Sequence, residues 1–138
     1  MIVIDTNILV HLSIPSERTS AAAKVIGGWD VHVPSLWVSE YMNVLATHMR
    51  HRDLPLAKAI EMMETCQEAV NGNVHETRPE LVLELAHGSG CSSYDCEFVA
   101  TAMELGVPLV TLDKKLLREF PAVARSLDAM LAGESQAP

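Results

Sequence analysis

Aromatic residues, cysteines and long apolar runs are scarce in this sequence, and each scarcity excludes a class of protein. Phe, Trp and Tyr together make up 4% of the chain, too few for a platform that stacks the bases of single-stranded nucleic acid. Cys66, Cys91 and Cys96 are odd in number and form no CxxC pair, so they build no disulfide framework. No run approaches the roughly 18 apolar residues of a membrane span. No leader pattern precedes the first apolar run, so we expect a cytoplasmic protein that does not bind membranes.

Basic side chains are also in short supply, since ten Lys and Arg face eighteen Asp and Glu and leave a net charge of −8. This surplus of negative charge repels nucleic acid unless something local reverses the field. The rest of the composition is ordinary, with 49% hydrophobic and 20% charged residues in a chain of 138. These values predict one globular domain, which we place at residues 1–132, followed by a frayed tail at 133–138.

Short apolar runs and amphipathic segments alternate along the chain, which predicts strands alternating with helices. Ser35, Thr77 and Ser92 are predicted to cap the helices that follow them. The alternation predicts an α/β fold with a parallel sheet covered on both faces, and two consecutive helices that project as a hairpin. The predicted strands are 2–5, 31–33, 74–76, 108–111 and 121–123, and the predicted helices are 8–12, 15–28, 36–51, 55–70, 77–88, 92–105 and 114–120.

Four acidic residues lie where the chain leaves a predicted strand or enters a predicted helix. Asp5 and Asp113 follow strands, while Glu40 and Asp95 lie in the first turns of helices. Because ligands of open α/β sheets bind beyond the carboxyl ends of the strands, we expect these carboxylates to share one edge. Each could singly be a helix cap or a solvated acid. Together they would repel one another unless a divalent cation such as Mg²⁺ or Mn²⁺ lay between them.

Short motifs surround these acids in a fixed order. They are Asp5-Thr6-Asn7, Val33-Pro34-Ser35, Ser39-Glu40 with Asn43-Val44-Leu45, Ser92-Ser93-Tyr94-Asp95, and Gly106 to Lys114 with Thr111-Leu112-Asp113. Together they resemble the PIN-domain nucleases, and more narrowly the VapC toxins of type II toxin–antitoxin systems. The resemblance covers nearly the whole chain, from Met1 to about Leu131.

The resemblance implies a three-layer sandwich around a parallel sheet of order 3-2-1-4-5, and a metal-dependent endoribonuclease that hydrolyses RNA. Asn7 and Thr111 would orient the carboxylates or water. The implied partners are RNA, an antitoxin protein bound along helices 36–51 and 55–70, and a second copy of the chain in a homodimer. The resemblance implies that Asp5 and Asp95 are the main ligands of Mg²⁺ and that Asp113 and Glu40 complete the site. Mn²⁺ would substitute for Mg²⁺.

Several residues beside the four acids have more than one interpretation. Cations bound there, with nearby Lys114, Lys115 and Arg118, would give RNA a less repulsive surface than the net charge of −8 suggests. Those three basic residues are equally typical of a solvated helix face. Glu97 lies two residues after Asp95, and residues two apart do not share a helix face, so its contact with the site stays open.

Two alternatives from other classes remain open. One is a PIN-fold module that binds metal and a partner without turnover. The other is a receiver-like signalling domain that binds Mg²⁺, although such a domain would have an acidic pair where this sequence has Asp5-Thr6. His48 and His51 share a helix face, but no further Cys or His nearby completes a metal site.

Overall fold

A five-stranded sheet forms the centre of the computed structural model, which describes residues 1–135. The strands are β1 (Ile2–Ile4), β2 (Val31–Pro34), β3 (Val74–His75), β4 (Leu109–Val110) and β5 (Ala124–Arg125). The helices are α1 (Thr6–Ser13), α2 (Thr19–Gly28), α3 (Trp37–His51), α4 (Leu56–Val70), α5 (Pro79–Ser89), α6 (Ser93–Leu105), α7 (Lys114–Glu119) and α8 (Leu127–Ser135).

The strand order is β3-β2-β1-β4-β5, and every pairing is parallel. This confirms the predicted α/β fold with order 3-2-1-4-5. Receiver-like domains have the order 2-1-3-4-5 instead, so the receiver-like alternative is wrong. β1 lies between β2 and β4, which places the carboxyl end of β1 at the middle of the sheet.

Helices flank this sheet and exclude water from its core. α6 packs across β1, β2 and β4 and is backed by α5, whereas α1 packs against α2, α3 and α4. Ile4, Leu9, Trp37 and Phe98 are among the buried residues between them. The three cysteines are free and buried. Burial on both faces explains why β1 is uniformly apolar.

Two predicted helix caps are wrong because their side chains bond elsewhere. Ser35 Oγ donates to Glu76 Oε2 at 3.2 Å, and Leu36 occupies the N-cap position of α3 without a side-chain bond. Thr77 Oγ1 donates to Glu97 Oε1 at 2.9 Å, and α5 likewise begins without a side-chain cap. Both hydroxyls therefore join segments that are distant in sequence.

Two early helix boundaries also differ from the prediction. α1 covers Thr6–Ser13 rather than 8–12, because Asp5 caps it directly after the first strand. α2 begins at Thr19 rather than at 15, because a turn precedes it in which Ser16 N donates to Thr19 Oγ1 at 2.9 Å.

The C-terminal region differs most from the sequence prediction. β5 lies at Ala124–Arg125 instead of 121–123, since the amides of Val123 and Ala124 bond to the carbonyl of Phe120 in a turn. α8, which continues to Ser135, was not predicted. Residues 136–138 of the predicted tail lie outside the described residues. None of the helices in residues 1–135 is long and apolar enough to cross a membrane.

Candidate active site

Two of the predicted acids occupy junctions between a central strand and the helix that follows it. Asp5 Oδ1 accepts a hydrogen bond from Thr6 N at 2.8 Å, at the start of α1. Asp113 Oδ1 accepts from Lys115 N at 2.8 Å, at the start of α7. Both residues therefore cap helices, as Asp often does, and both stand at the carboxyl edge of the sheet.

The other two acids come from the first turns of long helices. Glu40 lies in the first turn of α3 and Asp95 in the first turn of α6, where the helix dipole favours negative charge. Ser92 Oγ accepts from Asp95 N at 3.1 Å, which confirms the predicted cap of α6. This bond fixes the turn that carries the Asp95 carboxylate.

One cavity of about 340 Å³ brings the four predicted carboxylates together, and we call it the acidic cavity. It is lined by Asp5, Thr6, Asn7, Val10, Glu40, Asn43, Val44, Asp95 and Asp113. Thr111 is not in this lining; it is fully buried and reaches the cavity through its bond to Asp5.

Thr111 and Asn7 link the two aspartate-bearing junctions. Thr111 Oγ1 donates to Asp5 Oδ2 at 2.7 Å and accepts from Asp113 N at 3.0 Å. Asn7 Nδ2 donates to Asp5 Oδ2 at 3.3 Å, and Asn7 Oδ1 accepts from Leu112 N at 3.4 Å. The structure thus places both residues where they orient a carboxylate of the cavity.

Two further polar residues of the cavity belong to the quoted motifs, but the sequence analysis gave them no role. Thr6 Oγ1 donates to Glu40 Oε1 at 2.8 Å and so connects α1 with α3. Asn43 lines the cavity one turn after Glu40. Their signals were the adjacency of Thr6 to Asp5 and the i, i+3 spacing of Glu40 and Asn43.

The electrostatics of the cavity centre on Asp5. Burial raises the pKa of Asp5 from 3.8 to about 7, and the negative charges of Glu40 and Asp95 act in the same direction. Hydrogen bonds from Thr111 and Thr6 oppose this rise. Asp5 therefore holds a proton over much of the pH range in which an exposed Asp is ionised.

The neighbouring carboxylates are shifted in the same direction. Burial raises the pKa of Glu40, as do the charges of Asp95 and Glu97. Burial likewise raises the pKa of Asp95, with a contribution from the charge of Asp113. Mutual repulsion of this kind is expected where several acids share a site that a cation can occupy.

Glu97 lines a different cavity, of about 290 Å³, on the side of α6 nearer α5. Its Oε1 accepts the hydrogen bond from Thr77, and it is absent from the lining of the acidic cavity. Glu97 nevertheless raises the pKa of Glu40 through its charge, although it does not line the acidic cavity.

Of the three basic residues predicted near the site, Lys115 acts on an acid of the cavity. Its Nζ donates to Gly90 O at 2.9 Å, and its charge opposes the rise in the pKa of Asp95. Arg118 is paired instead with Glu119 at 3.5 Å.

The donor set of the acidic cavity fits a hard divalent cation. Carboxylate, amide and hydroxyl oxygens are the ligands that suit Mg²⁺ and Mn²⁺. Within residues 1–135, no three His, Cys, Asp or Glu side chains are already arranged to hold a metal ion. The carboxylates would therefore have to close around a cation, which would relieve the repulsion that contributes to the raised pKa of Asp5.

The chain is similar to known proteins over most of its length. The PIN domain family model matches residues 2–123. Ribonuclease VapC3 of Pyrobaculum aerophilum is 30% identical over 128 residues, which cover 88% of this chain and 96% of that protein.

Solved structures show the same fold. The crystal structure of PAE2754 from Pyrobaculum aerophilum superposes with a TM-score of 0.78 at 22% identity, covering 99% of this chain and 97% of that one. A toxin–antitoxin complex from Klebsiella pneumoniae matches with a TM-score of 0.66 at 18% identity, over 91% and 97% of the two chains. The family match spans most of the chain and includes all four cavity acids. The chain belongs to the PIN-domain family and, within it, to the VapC proteins.

Proposed function

We propose that this protein is a metal-dependent endoribonuclease and the toxin of a toxin–antitoxin pair. The observation that carries the proposal is the convergence of Asp5, Glu40, Asp95 and Asp113 on one cavity at the carboxyl edge of the sheet. A relative of 30% identity is named a ribonuclease, and a protein of the same fold is part of a toxin–antitoxin complex. Both support this assignment.

The four carboxylates suit hydrolysis of a phosphodiester. Mg²⁺ or Mn²⁺ bound there would lower the pKa of a water molecule and stabilise the attacking and leaving oxygens. Asp5 and Asp95 would be the main ligands, and Asp113 and Glu40 would complete the site. Asp5 must give up its proton to act as a ligand, and its pKa of about 7 makes this loss accessible near neutral pH.

The polar neighbours hold the carboxylates in position. Thr111 fixes Asp5 and the start of the segment that carries Asp113, while Thr6 fixes one oxygen of Glu40. Carboxylates that are held by hydrogen bonds from neighbouring side chains lose less conformational entropy when they bind a metal ion. We therefore assign Thr111, Asn7 and Thr6 to positioning.

Cleavage of total cellular RNA by the purified chain tests this function. The assay compares Mg²⁺ or Mn²⁺ with EDTA. It also compares Asp5→Asn with Asp128→Asn, which makes the same side-chain change at an exposed position in the first turn of α8. We expect discrete fragments with 5′-phosphate ends that require metal and Asp5. Asp128→Asn should cleave like the wild type.

Two results would contradict parts of this proposal. Cleavage that is indifferent to EDTA and leaves cyclic phosphate ends would move the chemistry to histidines. Metal binding that is lost in Asp5→Asn, without any RNA cleavage by the wild type, would favour the interaction module without turnover.

The antitoxin is assigned to the hairpin of α3 and α4. An apolar groove of about 350 Å³ lies between these helices. Leu56 is 66% exposed there, Ile60 52% and Met42 49%. A flexible, Met-containing apolar groove suits an amphipathic partner segment. The groove is lined by Met42, Leu45, Ala46, Met49, Leu56, Ala59, Ile60 and Met63.

A further inference from the structure

α3 connects the acidic cavity with the tip of the hairpin that it forms with α4. Glu40, Asn43, Thr47 and Arg50 recur along α3 at i, i+3, i+7 and i+10, a spacing that places them on one side of a helix. Glu40 is partly buried in the cavity, and the other three residues are exposed. At 1.5 Å per residue, this polar flank runs about 15 Å outward from the acidic cavity.

The polar flank has an unusual charge for this chain. No acidic residue occurs between Glu40 and Asp53, although the protein has eighteen Asp and Glu. Arg50 forms no ion pair with any of the described residues, whereas Arg78 pairs with Glu104 at 2.9 Å. The flank therefore offers hydrogen-bonding groups and then a free positive charge, directly beyond a cluster of acids.

An adjacent flank of α3 has a different character. Met42, Ala46 and Met49 follow the spacing i, i+4 and i+7 and line the apolar groove shared with α4. The polar flank therefore borders the groove assigned to the antitoxin, but its residues do not line that groove. The groups of the polar flank match a polar, negatively charged ligand that extends from the acidic cavity.

We propose that the polar flank of α3 is the track on which single-stranded RNA lies as it leaves the acidic cavity. Asn43 and Thr47 bond to sugar or phosphate oxygens, and Arg50 pairs with a phosphate several nucleotides from the scissile bond. Contacts of this kind position a strand without reading its bases. This inference rests on the proposed ribonuclease function and adds where the substrate lies.

A matched pair of threonines tests the track. Thr47 Oγ1 donates to Asn43 O at 2.9 Å, and Thr65 Oγ1 on α4 donates to Glu61 O at 3.1 Å. Both threonines are exposed, so Thr47→Glu and Thr65→Glu remove the same bond and add the same charge. Steady-state cleavage of a fluorescent single-stranded RNA is compared with hydrolysis of bis(p-nitrophenyl) phosphate, which is too small to reach Thr47.

We expect Thr47→Glu to raise KM for RNA severalfold with little change in kcat, and Thr65→Glu to behave like the wild type. Mn²⁺ affinity and hydrolysis of the small phosphodiester should be the same in all three proteins. Equal KM values for the two variants would overturn the track. So would an altered oligomeric state of Thr47→Glu at unchanged KM, because the flank would then belong to a protein interface.

Arg50 provides a second readout. Arg50→Gln should reduce the slope of log affinity against log salt by about 0.7, the value for one phosphate contact with a single strand. Arg52→Gln is the control. Arg52 lies at the same end of α3 as Arg50, so both charges interact with the helix dipole. Arg52 does not belong to the polar flank, because it is two residues further along the helix. An unchanged slope in Arg50→Gln would overturn its role. If the wild type neither binds nor cleaves RNA, the proposed function itself fails, whereas failure of these variants alone removes only the track.

Discussion

At the scale of single residues, Asp5 is the centre of the candidate site. It is 7% exposed, and three donors surround its carboxylate, from Thr111, Thr6 and Asn7. The sequence predicted Asp5 because it directly follows a buried strand. The raised pKa of Asp5 could not be predicted from its position after the strand. It is caused by burial and by the charges of acids that are distant in sequence but close in the fold.

Removal of the Thr111 hydroxyl should weaken metal binding through Asp5. Thr111→Val loses the bond to Asp5 Oδ2 and leaves Asp113 N without its acceptor, which costs about 1–3 kcal/mol for a buried group. We expect Mn²⁺ affinity to fall about 10- to 100-fold, as for other residues that orient ligands.

Thr101→Val is the matched control for Thr111→Val. Thr101 is also buried and donates to Glu97 O at 2.9 Å, away from the acidic cavity. Urea unfolding and Mn²⁺ titration of both variants separate stability from positioning. Similar Mn²⁺ affinities for the two variants would argue against the role of Thr111.

Asp5 also makes the metal-free protein less stable as pH rises. Its pKa of about 7 in the folded chain exceeds the ordinary value of 3.8, so between these values the folded state keeps a proton that the unfolded state has lost. The free energy of unfolding therefore falls with rising pH in this window. One pKa unit corresponds to about 1.4 kcal/mol, so urea unfolding in EDTA should show a drop of at least about 1 kcal/mol. Asp5→Asn should lack this component, and an unaltered pH dependence in that variant would be evidence against it.

At the scale of elements, sequence periodicity predicted the long helices well and their caps less reliably. The predicted helices 36–51 and 55–70 correspond to Trp37–His51 and Leu56–Val70. The agreement is close because apolar residues at helical spacing form the face that a helix buries. Ser35 and Thr77 fit local capping patterns, but their hydroxyls bond to Glu76 and Glu97. Such tertiary bonds have no local sequence signal.

Ser92 is the cap whose loss should affect the site. Ser92→Ala removes the acceptor of Asp95 N and should cost about 1 kcal/mol of stability. It should also weaken Mn²⁺ binding, since the first turn of α6 positions Asp95. Ser126→Ala removes an equivalent bond, in which Ser126 Oγ accepts from Ala129 N at 3.0 Å, and Ser126 does not line the acidic cavity. Comparable losses of stability with a loss of Mn²⁺ affinity only in Ser92→Ala would support this assignment, and equal affinities would refute it.

At the scale of the whole molecule, the alternation of strands and helices predicted a parallel sheet, and the family resemblance predicted its order. The order β3-β2-β1-β4-β5 brings the ends of β1 and β4 together, which is why acids more than 100 residues apart share hydrogen-bond partners. Which residues line the groove between α3 and α4 depends on how the two helices pack. Helical spacing alone therefore did not predict which methionines line the groove and which are buried in the core.

The groove should govern partner binding without governing the oligomeric state of the chain alone. We expect light scattering to give twice 15.1 kDa for the purified chain, both in the wild type and in Ile60→Glu. A small protein that co-purifies from the native host should be lost in Ile60→Glu and kept in Leu83→Glu, where the exposed leucine lies outside the groove. Retention of that partner by Ile60→Glu would exclude the groove as its site.

The most direct test of the account is a Mn²⁺ titration followed by electron paramagnetic resonance of the free ion. It compares the wild type, Asp128→Asn and the four single amide variants of the cavity acids, Asp5→Asn, Glu40→Gln, Asp95→Asn and Asp113→Asn. The account predicts tight binding by the wild type and by Asp128→Asn, and a loss in each cavity variant of at least about 10-fold. Undiminished Mn²⁺ binding by all four variants would contradict the claim that these side chains act as one metal centre.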